Sequence, residues 1–228
     1  MEFLFDGLIG AFRLLAVADE ETLAAIAATL KVSFGAMGIS LVIGVPLGFL
    51  LGFFSFPGRR IVRTVVDTLL ALPTVLIGLL VYALISSRGP FGEYGLLFTL
   101  PGIAVGQTIL ALPIVAALTA AAVEGGDPRL RPTLMALGAG RGQMLLSTLW
   151  ESRHGLLAAA VTAYGRITTE VGISMMVGGN IKWHTRTMTT AIALETNKGQ
   201  FAMGVALGLV LLTIAFAVNL SLSMLRKR

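Results

Sequence analysis

Five long apolar runs decide what this chain can fold into. They cover about residues 21–54, 61–86, 96–123, 155–179 and 201–225, each at or beyond the roughly 20 residues that a helix needs to cross a bilayer. Hydrophobic residues make up 56% of the chain and charged residues only 13%. A water-soluble chain of this length could not cover so much apolar surface with so few charges, so its solvent is lipid. The expected fold is an all-α membrane protein with five transmembrane helices.

Several function classes drop out early. There is no cysteine, hence no disulfide and no thiolate site. No GxxxxGK[ST] occurs, so ATP binding would need a separate chain. No HExxH pattern occurs, and the two histidines, His154 and His184, fall on opposite sides of the membrane in the topology below, which disfavours an intramembrane enzyme. No cofactor and no metal site is expected. The isoelectric point near 10.1 could suggest nucleic acid. The basic residues cluster between spans instead, as lipid topology requires, so nucleic acid is rejected as a partner.

Residues 1–18 read as an amphipathic helix in the interface, with Glu2, Asp6, Gly10 and Arg13 on one stripe, or as a helix packed along the spans. The acidic start MEFLFDG lacks a basic n-region, so no cleaved signal is expected. Asp19, Glu20 and Glu21 open the first span, with Gly44, Gly48 and Gly52 as a close-packing ridge and Pro46 as a kink. Pro73 interrupts the second span in its middle, and Arg63 and Asp67 stand at ion-pair spacing. In the third, Pro113 predicts a bend, and Gln107 is an amide at membrane depth, either glue between helices or a donor lining a path.

Between the third and fourth spans lies a polar island, residues 127–154. Asp127 can cap a short helix with Pro128 in its first position. Gly138-Ala139-Gly140 breaks that helix, and a second follows from Arg141. The fourth span carries Arg166 and Glu170 four residues apart, with Arg166 roughly 17 Å into the helix at 1.5 Å per residue. Ions at that depth must face a partner or a wet cavity, so the two either line a path or form a structural pair. Gly178-Gly179-Asn180 ends the span, and a short helix is expected at about 187–195 before the last one.

Charge counting sets the orientation. One side collects Arg59, Arg60, Arg63, Arg129, Arg131, Arg141, Arg153, Arg226, Lys227 and Arg228; the other receives Arg88, Lys182, Arg186 and Lys198. An outer N-terminus and a cytoplasmic C-terminus put the larger set, and the island with it, in the cytoplasm.

The island, with Leu137-Gly138-Ala139 at its turn, resembles the "EAA" coupling motif of ABC importer permeases. It departs from the motif where Pro132-Thr133-Leu134 replaces the leading Glu-Ala-Ala and where Trp150 replaces a proline. The run from Gly165 through Arg166 and Glu170 to Gly172, then Met175 to Asn180, is similar to that of oxyanion permeases. The stretch from His184 to Thr196, and Ala71 to Val75 with Ser87 to Pro90, resemble the tungstate-type branch.

The resemblance implies a type I ABC importer permease domain over 19–228, with the coupling loop at 127–154. It also implies a homodimer with two ABC ATPase subunits docked on Leu137, Gly138, Ala139, Gly140 and Arg141, and an oxyanion-binding protein at the outer face of a prokaryotic inner membrane. The path or gate would involve Arg166, Glu170, Gln107, Gly178, Gly179 and Asn180, with glycines that let the backbone approach the anion. Lys182, His184 and Arg186 would lie at the outer face, near the anion or its carrier, or serve as interfacial anchors. Tungstate is the expected cargo. Molybdate, sulfate or phosphate import and an ATP-independent anion channel are the alternatives.

Overall fold

A computed structural model describes residues 19–226, with the backbone alone from 222, and also Ile9, Gly10, Phe12, Ala16 and Val17. Apart from these five positions, the interfacial helix expected over 1–18 lies outside the described residues.

The first helix, α1 (Glu20–Phe53), starts where the Asp19 carboxylate accepts the Thr22 amide at 2.8 Å and the Thr22 hydroxyl at 2.7 Å. These bonds hold the Asp19 carboxyl below the usual carboxylate range. The glycine ridge of α1 lies on α4 (Leu100–Glu124), with Gly44 against Val115, Gly48 against Thr119 and Gly52 against Val123. The contacts advance in the same direction on both helices, so α1 and α4 run parallel.

A Cβ on Gly48 would stand 2.4 Å from the carbonyl oxygen of Ala116. Backbone cannot yield as a side chain does, so Gly48→Ala is expected to force the two helices apart. We expect a loss of about 1–3 kcal/mol, the usual overpacking range, read as reduced thermal stability in detergent. Gly35→Ala, which meets no atom within 4 Å, is the control and should be neutral.

Helices α1 and α4 also share one end. Arg59 donates from Nε to the Leu51 carbonyl at 2.7 Å and pairs with Glu124 at 2.6 Å, while Arg63 reaches the same Glu124 at 3.6 Å. Cations at a helix C-terminus are placed where the dipole favours them. Arg63 also forms its expected pair with Asp67, at 3.2 Å.

The second apolar run is not one kinked helix. It forms α2 (Arg59–Leu69) and α3 (Thr74–Ile85), with axes 98° apart. Pro73 disfavours helical backbone at the residue before it and offers no amide. Helix α2 accordingly unwinds through shorter-range bonds from Leu70 to Asp67, Ala71 to Thr68 and Leu72 to Leu69. The predicted interruption is present, but it is a sharp corner.

The fourth run differs too. It forms α7 (Arg153–Thr168) and α8 (Gly172–Gly178), separated by three residues. Thr168 and Thr169 turn their hydroxyls back to the carbonyls of Tyr164 and Gly165, at 2.8 and 3.1 Å. Such bonds compete with helical continuation. The pass runs antiparallel to α4, from Gly155 beside Ala122, through Ile173 beside Gly106, to Gly178 against Ile103. Pro113, by contrast, leaves α4 as one helix.

The island carries α5 (Leu130–Ala136) and α6 (Arg141–Glu151). The chain ends in α9 (Met188–Asn197), against an expected 187–195, and α10 (Phe201–Arg226). Two cores hold these pieces. One joins Ala36, Val81, Leu110, Val115, Ile167 and Ile173. The other joins Ala25, Met188, Ala191, Ala206, Leu207 and Val210, and so ties α9 and α10 to the start of α1.

Among the described residues, three helices are long and apolar enough to cross a membrane singly, or four spans if the bent α2–α3 pair is one. Large side chains such as Val42, Ile61, Leu212 and Phe216 point outward. A hydrocarbon surrounding suits such a surface.

Candidate functional site

Three zones carry the residues expected to function. The first is the island. Helix α5 begins later than the sequence suggests. Asp127 Oδ1 accepts the Arg129 amide at 2.8 Å, and the helix proper starts at Leu130. Its end is a Schellman closure. Gly138 at φ +79° donates to Met135 at 3.0 Å, and Ala139 donates to Leu134 at 2.9 Å. Gln143 then accepts the Gly140 amide at 2.8 Å and fixes the start of α6. This tight turn displays Leu137, which is 78% exposed, while Leu146 and Trp150 on α6 are 72% and 70% exposed. Gly140 and Arg141 are exposed and Ala139 is partly covered. The island therefore offers apolar side chains on short helices beside cations. Arg153 lies 4.8 Å from the Trp150 ring, and Arg131 lies 5.2 Å from the ring of Phe53 at the end of α1.

The second zone is the break between α7 and α8. Arg166 pairs with Glu170 at 3.2 Å. The two environments differ sharply, since the Arg166 side chain is 47% exposed and that of Glu170 only 3%. The second carboxylate oxygen of Glu170 accepts the Ile173 amide at 3.3 Å and so caps the first turn of α8. The Glu170 carbonyl accepts the Thr189 hydroxyl at 2.9 Å, and the Met188 amide donates to Thr29 of α1 at 2.9 Å. The break is thus tied through α9 to α1. Gln107 is 3% exposed on α4, and its Oε1 has no partner among the described residues.

Gly178 and Gly179 are closely packed where a side chain would stand. A Cβ on Gly178 would meet Ile103 at 2.6 Å, and one on Gly179 would meet the Phe98 ring at 2.7 Å. The small residues there admit protein side chains.

The third zone lies at the opposite end of α1 from the island. Ile181 accepts the amides of His184, Thr185 and Arg186, which closes a tight turn after α8. Asn180 accepts Arg186 Nε at 3.2 Å, Lys182 pairs with Glu21 at 2.7 Å, and Arg186 also pairs with Glu21. His184 is exposed. In the sequence Glu21 reads only as acid in a helical first turn. Its partners lie far along the chain, and no local pattern announces them.

Members of the two sets of cations stand at opposite ends of α1, Arg59, Arg63 and Arg131 at one, Lys182 and Arg186 at the other.

Comparison with known proteins fits this geometry. A family model described as "Binding-protein-dependent transport system inner membrane component" matches residues 44–228. The chain is 48% identical over 219 residues to the tungstate uptake system permease protein of Campylobacter jejuni, covering 96% of this chain and 92% of that one. It is 36% identical to the protein of that description from Peptoclostridium acidaminophilum, covering 96% of each. A structure of the MetNI methionine ABC transporter matches with a TM-score of 0.73 at 21% identity, over 90% of this chain and 94% of that one, which speaks for the fold. The chain belongs to the binding-protein-dependent transport system inner membrane component family, the multi-pass permease subunits of ABC importers, whose ATPase is a separate subunit.

Proposed function

We propose that this chain is the permease subunit of an ATP-driven tungstate importer. The observation that carries the cargo is the 48% identity, over nearly the whole chain, to a tungstate uptake permease. In this reading two copies form a homodimer around the path, and each docks one ATPase subunit on Leu137 to Arg141. A binding protein delivers the anion to the turn holding Lys182, His184 and Arg186. Arg166 and Glu170 bear on the path at mid-depth, with Gln107 on the neighbouring helix and Gly178 to Asn180 closing its outer end.

The permease domain takes in residues 19–228 and crosses the membrane five times, by α1, α2–α3, α4, α7–α8 and α10. The parallel packing of α1 on α4 supports the count, because α2 and α3 must then return the chain to the other face. The exposed, cation-flanked island supports a cytoplasmic docking loop with an outer N-terminus and an inner C-terminus.

Competition for uptake in cells tests the cargo. Tungstate is expected to block uptake of labelled molybdate and sulfate when present at comparable concentration. Sulfate or phosphate uptake that survives saturating tungstate would assign the cargo to that anion instead.

A further inference from the structure

The outer turn holds two cations already occupied by a carboxylate from elsewhere in the chain. Glu21, in the first turn of α1, lies 165 positions from Arg186, and its two oxygens divide between Arg186 Nη1 and Lys182 Nζ. Each cation also has a second contact. Asn180 holds Arg186 Nε, and Lys182 Nζ lies 5.2 Å from the Trp183 ring.

The turn holds strain at one residue. Trp183 at φ +67° is a bulky residue in left-handed backbone, beside Asn180 at φ +51°, which asparagine tolerates, and the amides of His184, Thr185 and Arg186 gather on Ile181 in the same turn. Strain of this kind persists where the surroundings over-determine it, as at ligand clamps. The Lys182 side chain is 49% and that of Glu21 37% exposed, so an exchange of partner at Lys182 needs no opening of the fold, while the Arg186 side chain is only 14% exposed.

We propose that Lys182 and Arg186 form an anion clamp in which Glu21 is a tethered placeholder, displaced by the incoming oxyanion and returning as it leaves. The proposal rests on the oxyanion import argued above. A dianion carries twice the charge of a carboxylate and wins the clamp on arrival. Glu21, tethered at high effective concentration, competes for its release. A path must bind its ion weakly enough to let it go.

Equilibrium binding of tungstate, molybdate and sulfate to the permease–ATPase complex in nanodiscs, without the binding protein, tests this. Glu21→Gln is expected to tighten binding of a dianion about fivefold, the scale of a partly exposed ion pair, and to slow maximal uptake. Glu20→Gln removes the same charge from the same turn and should leave binding unchanged. Arg186→Gln added to Glu21→Gln should abolish the gain, and Glu21→Asp should restore part of the wild-type behaviour. Equal binding by the Glu21→Gln and Glu20→Gln complexes would overturn the clamp, as would a Glu21→Gln effect confined to docking of the binding protein. If tungstate is not transported but molybdate or sulfate shows the gain, the cargo assignment fails and the clamp stands.

Discussion

Arg166→Ala is expected to damage the protein far more than Glu170→Gln. The pair is asymmetric, with Arg166 half in the open and Glu170 almost fully covered. Removing the arginine leaves a carboxylate in the interior with only the Ile173 amide to satisfy it. Stripping one partner from a buried pair costs about 3–5 kcal/mol, and the partial exposure here puts the expectation at the low end. Glutamine at 170 keeps the size and a carbonyl oxygen for the Ile173 amide, and the arginine it releases is half exposed and not enclosed.

Arg166→Ala should therefore reduce the yield of assembled complex, while Glu170→Gln should assemble with altered transport. The double variant Arg166→Ala with Glu170→Gln should recover most of the assembly, because no unpaired buried charge remains. Size-exclusion yield and thermal unfolding of the three complexes measure this. Equal loss in the single and double variants would mean that burial of the carboxylate is not what makes Arg166 necessary.

Gly138→Val is expected to separate ATP hydrolysis from uptake. Gly138 sits at φ +79° with no atom within 4 Å of a Cβ placed on it, so the penalty is conformational and not a clash. A left-handed residue with a side chain costs roughly 1–2 kcal/mol, more for a β-branched one. That is about a tenfold shift against the closed turn. With the turn loosened, Leu137 and the start of α6 lose their fixed spacing. We expect hydrolysis to continue while uptake falls about tenfold, in proportion to that shift. Gly138→Asn should retain most uptake, because asparagine tolerates this backbone. Gly142→Ala, inside α6 with open space around it and no positive φ, should be neutral or slightly stabilising. A fully coupled Gly138→Val complex would remove the turn from the coupling account.

Much of this was legible in the sequence because it is local. Periodic apolar runs, the Gly138 break, the glycine ridge on α1 and the spacing of Arg63 with Asp67 and of Arg166 with Glu170 all act within one or two helical turns. At Pro73 the sequence predicts an interruption but not the right-angle corner, since the angle depends on how α2 and α3 pack. The break after Thr168 leaves no mark in the apolar pattern. Its cause is a pair of threonine back-bonds and a carboxylate recruited to cap α8, and neither alters the hydrophobic pattern. The close packing of Ile103 on Gly178 and of Phe98 on Gly179 was not legible either, because it joins segments far apart in the chain. Glu21 was invisible as a partner of Lys182 and Arg186, because only the folded chain brings the start of α1 to the turn after α8.

ATP-dependent tungstate uptake into proteoliposomes tests the central claim most directly. The vesicles would contain this chain with its partner ATPase, and the binding protein would be supplied outside. The account predicts uptake that requires ATP, ATPase and binding protein together and that falls with Gly138→Val while hydrolysis persists. Tungstate entry through this chain alone, without ATP, would contradict it and identify a channel.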